Sequence, residues 1–245
     1  MTQMRIQRAL SRAGVASRRR AEELVATGAV RVDGEVATIG SKVDPDRQVI
    51  TVRGRRVQAH AIRWVMLHKP ISVITTADDE KGRRTVFDLI PNHAGLTYVG
   101  RLDLMTTGLL LLTTDGEAVH RLTHPKYRVP RRYTALVHGR PTDELSGLVG
   151  TRVSVGGRPV VPLAVRVRPG REGRTLIDVT LAEGRNAIVR KWVLAMGAKV
   201  ERLARLSYGP VRLGDLAPGD WRPLTPEEVE ALYACIDLPA KGIAG

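Results

Sequence analysis

The stretch VGRLDLMTTGLLLLTTDG, residues 99–116, sets a charged Arg-Leu-Asp triplet directly ahead of a run of four leucines. Such an apolar run must be buried, and a strand is expected over 108–113 with the charged triplet immediately ahead of it. Gly100 frees the backbone to turn, Thr106 and Thr107 are expected to bond local amides, and Leu109 to Leu112 anchor the segment in the core. The result is a rigid platform under Asp103. On physical grounds two readings of that aspartate stand side by side: a turn residue bonding neighbouring amides, and a catalytic carboxylate at the edge of a core.

Further strand-like runs lie at 64–67, 73–76, 132–137, 160–167 and 175–181. One helix is expected from Gly116 toward Leu122. A second spans Asn186 to Met196, where Ile188, Trp192 and Met196 lie four apart with Val189 and Val193 beside them; Arg185, Arg190 and Lys191 point elsewhere and Gly197 is placed to cap it. The last begins at Thr225, which forms a capping box with Glu228 and has Pro226 in its first turn, and it turns Val229, Leu232, Tyr233 and Ile236 inward. Residues 237–245 show no periodicity and are expected to be disordered.

Toward the N-terminus, Met4, Ile6, Ala9, Leu10 and Ala13 have helical spacing and Gly14 follows as a cap; Ser17 offers an N-cap to a second helix carrying Ala21, Leu24 and Val25, closed by Gly28. The segment AVRVDGEVATIG then alternates with period two and breaks at Asp33-Gly34, a pair suited to a tight hairpin. Arg5, Arg8, Arg12, Arg18, Arg19 and Arg20 meet only Glu22 and Glu23 on the two helices, a positive patch suited to phosphate oxygens. VQAHAI, residues 57–62, reads as a linker. The chain thus divides near residue 60 into a small domain, 1–60, a larger one, 61–236, and the tail.

Composition narrows the class of partner. Thirty-nine lysines and arginines oppose 25 acids, a formal charge of +14, as expected of a chain that meets a polyanion. One cysteine, Cys235, excludes a disulfide framework and a thiolate cluster for zinc or iron–sulfur. His120 and His124 lie four apart with no third ligand at a recognisable spacing, so no metal site is expected. No stretch approaches the ~18 apolar residues of a membrane helix, and the N-terminus has no apolar targeting core, so a soluble cytoplasmic protein is expected. No GxGxxG or Walker sequence supports nucleotide-dependent chemistry.

Residues 4–56, with RALSRAGVASRRRAEELVATGAVRVDGEVA, closely resemble the S4 RNA-binding domain. Residues 99–116 resemble the GRLD and TxGLLLLTxDG motifs of ribosomal RNA pseudouridine synthases, in the family that unites type A of the small ribosomal subunit with type B of the large one; Thr114 stands where the family often has Asn. HKPISVITTADDEKGRRTVFDLIP, residues 68–91, resembles the family's KPxGxxxT and GRxTVxDLIP stretches, although Ile71 and Ser72 replace the usual glycine-containing turn. EGRNAIVRKWVLAMG, residues 183–197, resembles its EGRNxxVRRxxxAxG motif.

The resemblance implies an α+β fold: an N-terminal S4 domain followed by a pseudouridine synthase catalytic domain with a mixed, largely antiparallel sheet. It implies that Asp103 is the catalytic carboxylate, that Arg190 pairs with it, and that Tyr133 lies against the target base. Arg101, Arg185, Asn186 and Lys191 join the N-terminal arginines as RNA contacts. The implied reaction moves uracil from N1 to C5 attachment on the ribose and requires no cofactor. Ribosomal RNA is the expected partner, free or in an assembly intermediate, with the EGRN form leaning toward 23S RNA and a single chain as the acting unit. The rival expectation is a non-catalytic S4-type RNA-binding or ribosome-assembly protein.

Overall fold

The computed structural model describes residues 3–16, 18–57 and 62–239. In the N-terminal part the order is β1 (Met4–Arg5), α1 (Ile6–Arg12), α2 (Arg18–Ala26), β2 (Val30–Val32), β3 (Glu35–Val36), β4 (Lys42–Val43), β5 (Ile50–Val52) and β6 (Arg55–Arg56). Ile6, Ala9 and Leu10 of α1 and Ala21 and Val25 of α2 form one buried cluster with Val30, Val43 and Ile50. Gly14 and Gly28, both at φ 70°, follow the two helices in the left-handed conformation that ends them. Asp33 and Gly34, at φ 51° and 91°, join β2 to β3 as a two-residue turn between the paired Val32 and Glu35. Met4 is not helical: with Arg5 it pairs antiparallel to β4. Ser17 and most of the linker, 58–61, lie outside the described residues, and with them the expected N-cap and domain boundary.

The second part runs β7 (Trp64–Lys69), β8 (Thr97–Tyr98), β9 (Thr106–Thr113), α3 (Gly116–Thr123), β10 (Arg131–His138), α4 (Thr142–Gly147), β11 (Val153–Val155), β12 (Arg158–Val160), β13 (Ala164–Pro169), β14 (Thr175–Leu181), α5 (Ile188–Ala195), β15 (Lys199–Tyr208), β16 (Val211–Arg212), β17 (Trp221–Pro223) and α6 (Pro226–Ala234). Its main sheet has the order β13-β14-β10-β15-β9-β7-β17, with β16 on β15 and β8 on β9. Only the β15–β9 pair is parallel. The expected mixed, largely antiparallel sheet is therefore present.

The four leucines sit in the middle of this sheet and serve both its faces. Leu110 and Leu112 join a cluster with Val65, Leu67, Tyr133, Ile177 and Trp192, whereas Leu109 and Leu111 join another with Trp64, Met66, Leu122, Tyr208 and Tyr233. Alternate side chains of a strand point to opposite faces, which is why the run contains no polar residue. Helix α5 belongs to the first layer; α3 and α6 belong to the second.

Several expectations need correction. Residues 73–76 form no strand beyond a single bridge from Ile74 to Thr85. The run 160–167 is divided between β12 and β13, with Pro162 in the break. Strand β15 escapes a reading of the sequence because Glu201, Arg202 and Arg205 interrupt its apolar alternation. The tail is ordered at its start: the Leu238 amide donates to Tyr233 O at 3.1 Å and Arg121 Nη1 to Asp237 O at 2.7 Å. Residues 240–245 lie outside the described residues.

The helix pair docks on the larger part. Arg8 Nη1 reaches Glu117 Oε2 of α3 at 3.3 Å, and a Cβ at Gly95 would stand 3.3 Å from Gly14 Cα, so backbones meet where both residues are glycine.

Candidate active site

A cleft of about 670 Å³ opens beside Asp103. Its lining takes Gly100 to Leu104 and Thr106 from the entrance to β9, Arg131 and Tyr133 from β10, Gly184 to Val189 from the start of α5, and Leu203 and Arg205 from β15. Four arginines and a single acid, Asp103, line it, a balance suited to a polyanionic ligand.

Asp103 is exposed within a short loop whose backbone is held at every carbonyl from 102 to 106. Thr75 Oγ1 donates to Leu102 O at 3.0 Å, the Thr106 amide to Asp103 O at 3.0 Å, and the Ser72 amide to Leu104 O at 3.0 Å. Arg190 Nη2 donates to Met105 O at 2.8 Å and Lys69 Nζ to Thr106 O at 3.0 Å. The rigid platform is real, but it is built differently from expectation. Thr106 Oγ1 bonds nothing among the described residues, and Thr107 Oγ1 reaches across to Leu203 O at 3.3 Å. Ser72 supplies its amide from φ 61°, a left-handed position where the family pattern carries glycine.

Lys69 opens the stretch that resembles KPxGxxxT, but nothing in the sequence shows what its ammonium does. Its ammonium is fully buried and also donates to Pro70 O at 2.9 Å. Burial pushes Lys69 down to about 8, with the Asp103 carboxylate acting in the opposite sense. Between about 8 and the ordinary 10.5, the unfolded chain then holds a proton that the folded chain has released, so this residue favours folding increasingly as pH rises through that window. Urea unfolding at a series of pH values should show wild type gaining on the order of 2–3 kcal/mol relative to Lys69→Met between pH 7 and 10. Parallel stability curves for the two proteins would contradict this assignment.

Tyr133 is buried to 7% exposure and lines the cleft with Asp103, so these two expected residues converge. Arg190 does not pair with the Asp103 side chain. Its second donor group, Nη1, goes to Val200 O at 3.3 Å, so it ties the loop after Asp103 to the strand β15. Among the described residues, no hydrogen bond or ion pair reaches the Asp103 carboxylate.

The remaining expected contacts divide. Arg101 and Asn186 are exposed and line the cleft, whereas Lys191 is exposed on α5 outside it. Arg185 lines the cleft, but its guanidinium pairs with Glu183 and donates to Val155 O at 3.0 Å and Pro159 O at 3.1 Å. It braces the β11–β12 hairpin.

A family model described as RNA pseudouridylate synthase matches residues 63–195, and one for the S4 domain matches residues 4–49. An uncharacterized RNA pseudouridine synthase of Aquifex aeolicus is 38% identical over 97% of both chains. The chain belongs to the RNA pseudouridylate synthase family. A relative from Bacillus subtilis, named ribosomal large subunit pseudouridine synthase B, is 41% identical over 95% of this chain and 97% of its own. A crystal structure of a pseudouridylate synthase superposes with a TM-score of 0.64 at 27% identity, covering 94% of this chain and 99% of that one.

The synthase thus joins an S4 domain to a catalytic domain. On the S4 domain, Arg5, Arg18, Arg19 and Arg20 are exposed. Arg20 also pairs with Glu23. Arg8 and Arg12 are half-buried; Arg8 is engaged with Glu117 of the catalytic domain, so it serves docking. No described helix is long and apolar enough to cross a membrane. Besides the contacts of Lys69, the sequence alone does not reveal Thr75, Arg131 and Arg205. The first lies in a run that reads as a strand and is not one, and the last in a strand whose pattern is broken by charge.

Proposed function

We propose that the synthase isomerises a uridine of large-subunit ribosomal RNA, with Asp103 acting at the ribose and Tyr133 against the extruded base. The observation that carries this reading is that Asp103 and Tyr133 line one cleft whose other charged lining residues are all arginines. A base inside a duplex must be unstacked before its glycosidic bond can be reached, and an aromatic face offers it a new stacking partner. The carboxylate meets the positive charge that develops on the ribose as the N1–C1′ bond breaks. Arg190 acts on Asp103 through the backbone, as a positioning residue.

Arg101 and Asn186 stand at the cleft and contact the RNA strand, while Arg5, Arg18, Arg19 and Arg20 grip phosphates farther along it. The large-subunit substrate follows the name of the Bacillus subtilis relative, which is alike over nearly its whole length. The test is to delete the gene in its own host and map pseudouridines in ribosomal RNA. Loss of a 23S position that the wild-type protein restores and Asp103→Asn does not restore is the outcome expected. An unchanged pseudouridine map, or full restoration by Asp103→Asn, would instead favour a non-catalytic RNA-binding role.

A further inference from the structure

Two guanidinium groups, those of Arg131 and Arg205, lie buried beside the cleft at 6% and 2% exposure. Both stand over the ring of Tyr208, at 4.7 and 5.0 Å from its centroid. Neither has an ion-pair partner among the described residues. Arg131 Nη2 is committed to Leu122 O at 3.0 Å and to the Tyr208 hydroxyl at 2.8 Å. Arg205 Nε is committed to Leu109 O at 2.7 Å, but its Nη2 is buried without an acceptor, and so is Thr106 Oγ1, another residue of the cleft lining. Leaving a charged donor buried and unsatisfied costs more than leaving a neutral one, so the arrangement is explained if a ligand brings the missing acceptor.

The strand register sets Arg205 beside Tyr133, just past a register shift between Arg132 and Tyr133. Arg205 and Tyr133 are directly opposed on β15 and β10, and both line the cleft. Opposed residues on one sheet face have Cβ atoms about 5 Å apart, so a ring against Tyr133 brings its edge to Arg205. Leu102, Ile188, Val189 and Leu203 line the same cleft, an apolar contribution that suits a planar base better than a phosphate, which the exposed Arg101 can receive. A uracil has two edge acceptors, O2 and O4. When the N1–C1′ bond breaks, its electron pair stays with the base and the charge spreads onto those two oxygens. C5 then bonds to C1′, the C5 proton leaves, and N1 takes up a proton, so the product is an isomer of the substrate.

We propose that Arg205 is a catalytic residue of the synthase, donating through Nη2 to a carbonyl oxygen of the uracil and stabilising the negative charge on the base while it is detached. This rests on the reading of the cleft as the base pocket. A preorganised donor aimed at developing charge contributes about 10²-fold or more in rate, and here the protein maintains it by holding the guanidinium between Leu109 O and the Tyr208 ring.

The test couples the residue to one atom of the substrate. The ribosomal RNA segment located by pseudouridine mapping is prepared with uridine, 2-thiouridine or 4-thiouridine at the reacting position. Single-turnover rates are then measured for wild type, Arg205→Lys and Arg205→Gln. With uridine, both variants should be slower by about 10²-fold while RNA affinity is kept. One of the two thio substrates should slow wild type by about tenfold, because sulfur accepts hydrogen bonds poorly, and should slow the variants no further. Additive effects at both positions would overturn the proposal, as would variants that lose RNA affinity instead of rate. Should both variants prove unfolded in thermal melts, the wild-type rates decide: equal rates on all three substrates refute it, and a loss at one position supports it. An inactive Asp103→Asn with no thio effect rejects Arg205 alone and leaves the base-pocket reading standing.

Discussion

Replacing Asp103 by asparagine is expected to lower the rate of pseudouridine formation by about 10⁴-fold while leaving the fold and RNA affinity intact. The side chain is exposed, and the hydrogen bonds that fix its loop run through backbone carbonyls and the Ser72 and Thr106 amides, so an isosteric amide breaks none of them and removes only the attraction of the carboxylate for Lys69. Its effect on stability should stay within about 0.5 kcal/mol. Following loss of the C5 hydrogen from labelled RNA alongside a thermal melt separates the two quantities. A variant that kept more than a tenth of the rate would remove Asp103 from the chemistry.

The second large effect is on folding and falls at Gly108. This residue has φ 105° and faces Arg205 across the parallel β9–β15 pair. A Cβ there would lie 2.3 Å from Arg205 O and 2.5 Å from Arg205 N, both backbone atoms that cannot move without opening the sheet. Gly108→Ala should therefore destabilise the protein by about 4 kcal/mol or more, adding backbone strain to the collision. Gly116→Ala is the control, since nothing lies within 4 Å of its added methyl and its φ is not positive. Equal melting temperatures for the two variants would show that the strands tolerate separation.

Much of this architecture is legible in the chain because single residues dictate it. Asp33-Gly34 specifies a hairpin, the Thr225–Glu228 capping box specifies the start of α6, and four consecutive leucines specify a buried strand, though not that it serves two cores. The site is legible only in part. Asp103 and Tyr133 can be matched by motif, and both line the one cleft. The work of Arg190 cannot be foreseen, because its acceptors are carbonyl oxygens of Met105 and Val200 and no side-chain pattern marks a carbonyl. The contacts of Lys69, a residue the motif does mark, are hidden for the same reason. Arg205 is hidden because a charged residue within a run reads as solvent-facing, whereas here aromatic and carbonyl contacts make its burial tolerable.

The alternation of Leu109 to Leu112 between two cores has a consequence for how the enzyme fails on heating. Because one strand is shared by both hydrophobic layers, neither can melt while the other persists, and the loop bearing Asp103 is continuous with that strand. Partly unfolded forms that retain activity have no structural basis, so thermal inactivation should coincide with cooperative loss of the whole catalytic domain. Amide exchange from β9 should accordingly proceed only through global unfolding.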